Sequence, residues 1–251
     1  RLLTEPVAPQ TAYENYYDKI MTYVAAISSH ATVIAPDAKA NEFLPVEDCN
    51  EDSVFNYHDS ATSRAEIGIA MQRLKLGNIA IVGLGGTGAY VLDLIAKTHI
   101  QKIHIFDGDV FYQHNAFRTP GAPSIDELRE QVKKTSYLKR IYEKMHRGIL
   151  EYDYYITTEN VHLLNMMDFV FLCLDQGDAK RIITTHLLQE GIPFIDVGMG
   201  LYMNRQDQSI AGVIRVTTGT REKFDHINSC INFSNNAGDN EYATNIQIAD
   251  L

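Results

Sequence analysis

Gly83, Gly85 and Gly88 stand in the spacing Gly-x-Gly-x-x-Gly, within Gly83-Leu84-Gly85-Gly86-Thr87-Gly88 and directly after the apolar run Ile79-Ala80-Ile81-Val82. A β-branched run that stops at clustered glycines, then gives way to a helix-compatible segment (residues 89–98), reads as strand, tight turn and helix N-terminus. A turn without side chains lets backbone N–H groups reach an anion, and the helix start adds partial positive charge at the same spot. The chemistry implied is nucleotide binding through Gly83, Gly85, Gly86, Thr87 and Gly88. Asp107 and Asp109 close the next apolar run, residues 102–107, where a carboxylate accepts ribose hydroxyls. On these residues alone, a nicotinamide-dependent oxidoreductase fits.

The residues that follow favour a different reaction. Asn115 and Arg118 come just after Asp109, and Lys133 lies on the next helical segment. A dehydrogenase needs no such cluster beyond its ribose carboxylate. Nucleotidyl transfer does, because charge moves onto a departing pyrophosphate and fixed cations must meet it. Arg118 offers a fork for phosphate oxygens, Lys133 a point charge, and Asn115 a donor to phosphate or a support for Arg118. Each also has an ordinary reading: Arg118 as a loop cap, Lys133 as a solvated neighbour of Lys134. Asp175 ends the strongly apolar segment 168–174, and a carboxylate there faces the ligand crevice. Magnesium needs one or two carboxylates besides phosphate oxygens, so Asp175 is the expected ligand. Asp178 reads as a helix cap.

Alternating elements must position these residues. Strands are expected at 102–107, 154–157, 168–174 and 193–197. One long amphipathic helix capped by Ser124 runs to about residue 149, and another spans 178–190 and ends at Gly191. Such alternation implies a mainly parallel, doubly wound α/β sheet covered on both faces, with ligands beyond the carboxyl ends of its strands. Residues 209–218 read as an antiparallel strand, and 245–251 as the start of a helix. Residues 1–62 differ in composition and hold four of the seven prolines and an acidic patch, with one aromatic-faced helix at 13–27. They form a helical extension, and 63–251 the nucleotide-binding domain.

Composition sets the outer limits. The 251 residues carry a formal charge of −10, so a nucleic-acid backbone is an unexpected partner. No apolar run approaches the length of a membrane span. Three scattered cysteines, Cys49, Cys173 and Cys230, encode neither a disulfide framework nor paired zinc ligands, and point to a reducing cytoplasm. The nine histidines show no metal-ligand spacing. The sequence opens on Arg1 and reads as a fragment or processed form.

The ordered set Gly-Leu-Gly-Gly-Thr-Gly, Phe-Asp107-Gly-Asp109, Asn115, Arg118, Lys133 and Leu-Cys-Leu-Asp175 with Arg181 resembles the ThiF/MoeB/ubiquitin-activating (E1-like) adenylyltransferase family, over residues 60–251. That resemblance implies ATP- and Mg2+-dependent adenylation of the C-terminal glycine of a ubiquitin-like or sulfur-carrier protein. It implies a homodimer, and a downstream conjugating enzyme as a further partner. It gives Asp109 the ribose, Asn115, Arg118 and Lys133 the phosphates, and Asp175 the magnesium. Arg64, in Ser63-Arg64-Ala65-Glu66, matches an arginine that reaches the partner subunit's γ-phosphate. Conjugating relatives then form a thioester; Cys230, four residues after His226, is the candidate nucleophile, while Cys173 reads as core packing. The chain departs from the family in lacking the two Cys-x-x-Cys zinc pairs, so no zinc is expected. It also lacks the glycine before the lysine, which leaves Lys134 a rival to Lys133. The N-terminal segment is similar to that of bacterial members encoded beside ubiquitin-like proteins, including antiphage conjugation systems.

Overall fold

A computed structural model of the chain describes residues 13–36, 45–204 and 208–233. It divides into two compact units, 1–46 and 47–251. The first holds helix α1 (Tyr16–Ile34), capped by Asn15, whose side chain accepts the Asp18 N–H at 2.9 Å. The helix runs further than the 13–27 expected from the sequence, and none of its residues is buried.

The second unit begins at Glu47, so residues 47–62 pack with the main domain. Phe55 is buried with its ring edge-on to His99 and His146. Next come α2 (Ser60–Arg64), α3 (Gly68–Arg73), β1 (Asn78–Val82), α4 (Gly86–Ile95), β2 (Lys102–Phe106), α5 (Gln113–Ala116), α6 (Ile125–Arg129), α7 (Lys134–Tyr142) and β3 (Ile149–Tyr152). A 3-10 turn (Val161–Met166), β4 (Phe169–Leu172), α8 (Gly177–Glu190), β5 (Phe194–Asn204), β6 (Ser209–Gly219) and α9 (Ile227–Cys230) complete the described chain. The helix expected at 245–251 lies outside the described residues.

The six strands form one sheet in the order β3-β2-β1-β4-β5-β6. Every pairing is parallel except that of β6 with β5. Alternate residues of the central strands enter two separate cores. Ile79, Ile81, Ile103 and Ile105 pack against Leu92 of α4 and Leu138 of α7 on one face. Ala80, Val82, Phe106, Val170 and Leu172 pack against Ile183 and Leu187 of α8 on the other. This is the Rossmann-like, doubly wound α/β arrangement that the element order implies.

Three expected elements come out differently. The long helix from Ser124 breaks in two. Ser124 and Glu127 do form a capping box, but Gln131 adopts φ 50° and the chain turns away. Residues 132–133 instead pair with the chain just after β2: Phe111 N–H donates to Val132 O at 2.8 Å, and Val110 and Lys133 form a bridge. The strand expected at 154–157 is a loop; the strand is β3, whose Ile149 pairs with Ile103 and fills the core. The strand expected at 193–197 continues to Asn204, as a two-stranded ribbon with β6 that outruns β4.

Candidate functional site

The sheet order reverses between β1 and β4, since the chain leaves β1 for β2 on one side and returns to β4 on the other. Ligands of open parallel sheets bind at that reversal, beyond the strand ends. The Gly83–Gly88 turn sits there. Gly83 has φ 91°, and a Cβ on it would lie 2.7 Å from the Cys173 carbonyl oxygen, so β1 and β4 end in close backbone contact. A Cβ on Gly88 would overlap the Gly83 carbonyl oxygen. Gly85, which caps α4, would by contrast carry a Cβ into open space. The two outer glycines are thus demanded by packing, whereas Gly85 keeps clear the space in front of the helix. A Cβ on Gly86 would stand 3.1 Å from the Arg118 carbonyl, which places the Arg118 backbone against the turn. Thr87 lies in the first turn of α4.

Asp107 and Asp109 divide their work. Asp107 is 7% exposed, and its two oxygens accept the Leu84 N–H at 2.7 Å and the Asp109 N–H at 2.8 Å. It therefore shapes the glycine turn. Asp109 is half-exposed and turns its carboxylate to Lys134 Nζ at 2.7 Å and to the Tyr155 hydroxyl. Burial works to raise its pKa, but the hydrogen bonds from Lys134 and Tyr155 and the nearby ammonium charges hold it below the usual carboxylate value.

The two adjacent lysines also differ. Lys134 is buried and lies 3.7 Å from Asp107 as well. Lys133 is the N-cap of α7, and its Nζ donates to the Gly108 carbonyl at 2.6 Å. Asn115 is buried, and its side-chain oxygen accepts the Tyr112 N–H at 2.9 Å. Its backbone carbonyl accepts from Arg118 N–H at 3.0 Å, so it sets the turn that carries Arg118. Asp175 follows β4 and is exposed, with no hydrogen bond or ion pair to the described residues. The turn, Asp109 and Asp175 thus follow the ends of β1, β2 and β4, and the Arg118 backbone lies against the turn.

Other expected residues stand elsewhere. Arg64 ends α2, whose N-terminus is capped by Asp59; Asp59 in turn meets His99 at 3.1 Å, at the end of α4 remote from the glycine turn. Cys230 is exposed at the end of α9, with Ser229 Oγ at 3.9 Å. The His226 ring is turned to the Thr218 carbonyl at 3.0 Å. Burial, and secondarily the charge of Asp196, push the Cys173 thiol up to about 12, in keeping with a packing role. A cavity of about 800 Å3, lined by Tyr112, Phe117, Ile125 and Leu128 among others, lies along α5 and α6 and is not lined by the glycine turn.

Two groups of residues were not anticipated. Tyr155 beside Asp109 is one. The other is a buried ion cluster behind Cys173: Lys180 Nζ lies 2.8 Å from Asp196, without hydrogen-bond alignment, and Arg215 lies 3.2 Å from the same carboxylate. No motif spacing links Lys180, Asp196 and Arg215. Their elements meet only because β5 and β6 pair in register and α8 packs on the same face.

A glycine turn at the reversal point, a helix start behind it and a carboxylate after β2 define the class: a Rossmann-like α/β domain. Residues 55–230 match the ThiF family, and the chain belongs to that family, whose members are E1-like. Residues 6–60 match the domain of unknown function DUF6791. Comparison with curated proteins gives no match. Among solved structures, E. coli MccB, solved with AMPCPP and MccA, is 20% identical with a TM-score of 0.50, covering 57% of this chain and 46% of that one. The E. coli tRNA N6-threonylcarbamoyladenosine dehydratase TcdA is 22% identical with a TM-score of 0.48, covering 58% and 62%. PaaA is 17% identical with a TM-score of 0.48, covering 74% and 57%. The chain spans less than two thirds of the length of each. At such identity, the MccB likeness shows a shared fold alone. Among the described residues no helix is long and apolar enough to cross a membrane.

Proposed function

We propose that this chain uses ATP to adenylate the C-terminal carboxylate of a ubiquitin-like or sulfur-carrier protein. The observation that carries the reading is the glycine cradle at the start of α4, with Arg118 packed on it, Asp109 to one side and Asp175 to the other. It stands in a chain of the ThiF family.

The residues fit such a nucleotide. The space before Gly85 is open, the turn's backbone can meet phosphates, and Asp109 has the exposure a sugar requires. They fit magnesium only in company with phosphate. Among the described residues no three His, Cys, Asp or Glu side chains gather as a metal site, and Asp175 brings one carboxylate. Magnesium so held would supply positive charge to the phosphates.

A peptide carboxylate has a pKa of about 3.3–3.7 and is already ionised at neutral pH, so no general base is required. One carboxylate oxygen bonds to the α-phosphorus. The bond from that phosphorus to the bridging oxygen breaks, and pyrophosphate leaves with the electron pair. The enzyme aligns two anions and offsets their repulsion. Arg118 and Lys133 serve the phosphates, Asn115 holds the Arg118 turn, and Asp109 holds the sugar. Arg64, at the end of α2, acts in this reading on the site of a second copy.

Pyrophosphate exchange into ATP, with magnesium and proteins ending in glycine, tests the reaction. Arg118→Ala and Asp175→Ala should each lose roughly 100-fold or more. Full exchange in Asp175→Ala rejects its metal role. Stabilisation by NAD, with no exchange by the unaltered protein, overturns the reading.

A further inference from the structure

Tyr155 belongs to the loop after β3, the strand beside β2, and its hydroxyl donates to Oδ1 of Asp109. Lys134 takes the other oxygen, Oδ2. Both oxygens of the expected sugar ligand are therefore engaged by the protein itself. The two engagements differ in kind. Lys134 is buried and also faces Asp107, so it is part of the frame. Tyr155 is 54% exposed, and the Asp109 side chain 49%.

The loop does not depend on that hydroxyl for its shape. Ile156 is buried, Asn160 Nδ2 donates to the Tyr155 carbonyl at 3.0 Å, and Thr157 N–H donates to Asn160 at 2.7 Å. The Tyr155 ring lies so close over Gly108 that a Cβ there would come within 2.9 Å of three ring carbons. The backbone around Tyr155 is thus pinned, and only side-chain rotation is needed to free the carboxylate.

From this geometry we infer that the Tyr155 hydroxyl stands in for a ribose hydroxyl on Asp109 and is exchanged for it when nucleotide binds, making Tyr155 a residue that sets the site's nucleotide affinity. The inference rests on the nucleotide reading above. No covalent change is involved: one O–H···O bond to the carboxylate replaces another. Asp109 and burial push the phenol up to about 12, so Tyr155 remains a donor across the neutral range. A hydrogen bond to an ionised acceptor is among the stronger ones, and its loss on binding weakens the observed affinity by that amount.

Two measurements test the exchange. In calorimetric titration with ATP, Tyr155→Phe should bind about 3- to 10-fold more tightly than the unaltered protein. In nucleotide-free melting, Tyr155→Phe should lower Tm by about 1–4 °C, and this loss should vanish in an Asp109→Ala background. Equal or weaker ATP binding by Tyr155→Phe overturns the inference and leaves the nucleotide reading standing. A Tm loss that persists without Asp109 also overturns it. If the unaltered protein binds no ATP, the nucleotide reading itself fails and the inference goes with it.

Discussion

Lys133 and Lys134 are adjacent and chemically identical, yet the fold gives them unlike tasks. Lys134 sits among Asp107 and Asp109 with its charge enclosed, whereas Lys133 spends one donor on the Gly108 carbonyl. Removing one partner of an enclosed ion pair leaves an uncompensated charge; removing a single bond to a carbonyl does not. Lys134→Met should therefore cost about 2–4 kcal/mol in urea unfolding, reduced from a fully buried case because Asp109 is half open to water. Lys133→Met should cost about 1 kcal/mol. Equal losses, or the reverse order, contradict the arrangement. The sequence could not separate the two lysines, because the difference arises from where α7 begins. The same holds for Asp107 and Asp109: both stand at a strand end, but only Asp109 keeps its side chain exposed to solvent.

At the scale of elements, the glycine turn divides into positions that hold the chain and a position that leaves room. Gly88→Ala drives a Cβ into the Gly83 carbonyl, a backbone atom that cannot step aside, and should yield a protein that fails to fold or melts far below the parent. Gly85→Ala meets nothing within 4 Å and has a backbone any residue accepts, at φ −68°. Its Tm should stay within about 2 °C of the parent, since no contact changes. ATP binding should nevertheless fall sharply, because the new methyl stands where phosphate would lie. A Gly85→Ala protein with parental ATP affinity would place the nucleotide elsewhere. The strand-turn-helix unit was legible because its signals are local: β-branched residues, clustered glycines and a helix start within a few positions of each other. The break at Gln131 and the place of β3 were not. They depend on Val110 and Phe111 recruiting residues 132–133, and on Ile149 matching Ile103, which are pairings between distant parts of the chain. Tyr155, Lys180, Asp196 and Arg215 escaped notice for the same reason, each being brought to its partners by packing and not by spacing.

Across the whole molecule, the buried polar groups set how stability follows pH. His146 is fully enclosed; Nδ1 accepts the Gly148 N–H at 3.0 Å, which leaves Nε2 to donate to the Ile100 carbonyl at 2.9 Å. The Gly148 bond needs the neutral ring; the Ile100 bond favours the charged one, but burial outweighs it and, with a smaller push from His99, lowers the pKa. His104, stacked on Tyr152, is also lowered, by burial and then by Lys102. A group whose folded pKa lies below its unfolded value binds fewer protons when folded. Its contribution is whole above the unfolded value near 6.5 and is lost as pH falls. The slope is at most about 1.4 kcal/mol per pH unit for each ring. Asp59 and Asp109 obey the same sign but in a lower window, beneath about pH 4, since their unfolded values are those of ordinary carboxylates. Stability should thus fall in two separate steps on acidification. Between pH 7 and 5.5 the histidine step should remove at most about 2.5 kcal/mol, or roughly 5–10 °C in Tm for a chain of this size. Ring-carbon NMR should find His146 titrating below the ordinary histidine value, and His104→Gln should shrink the step. A Tm that is flat across this interval, or a His146 ring that titrates at 6.5 or above, would mean that the enclosure of the ring and its bond from Gly148 do not hold in solution.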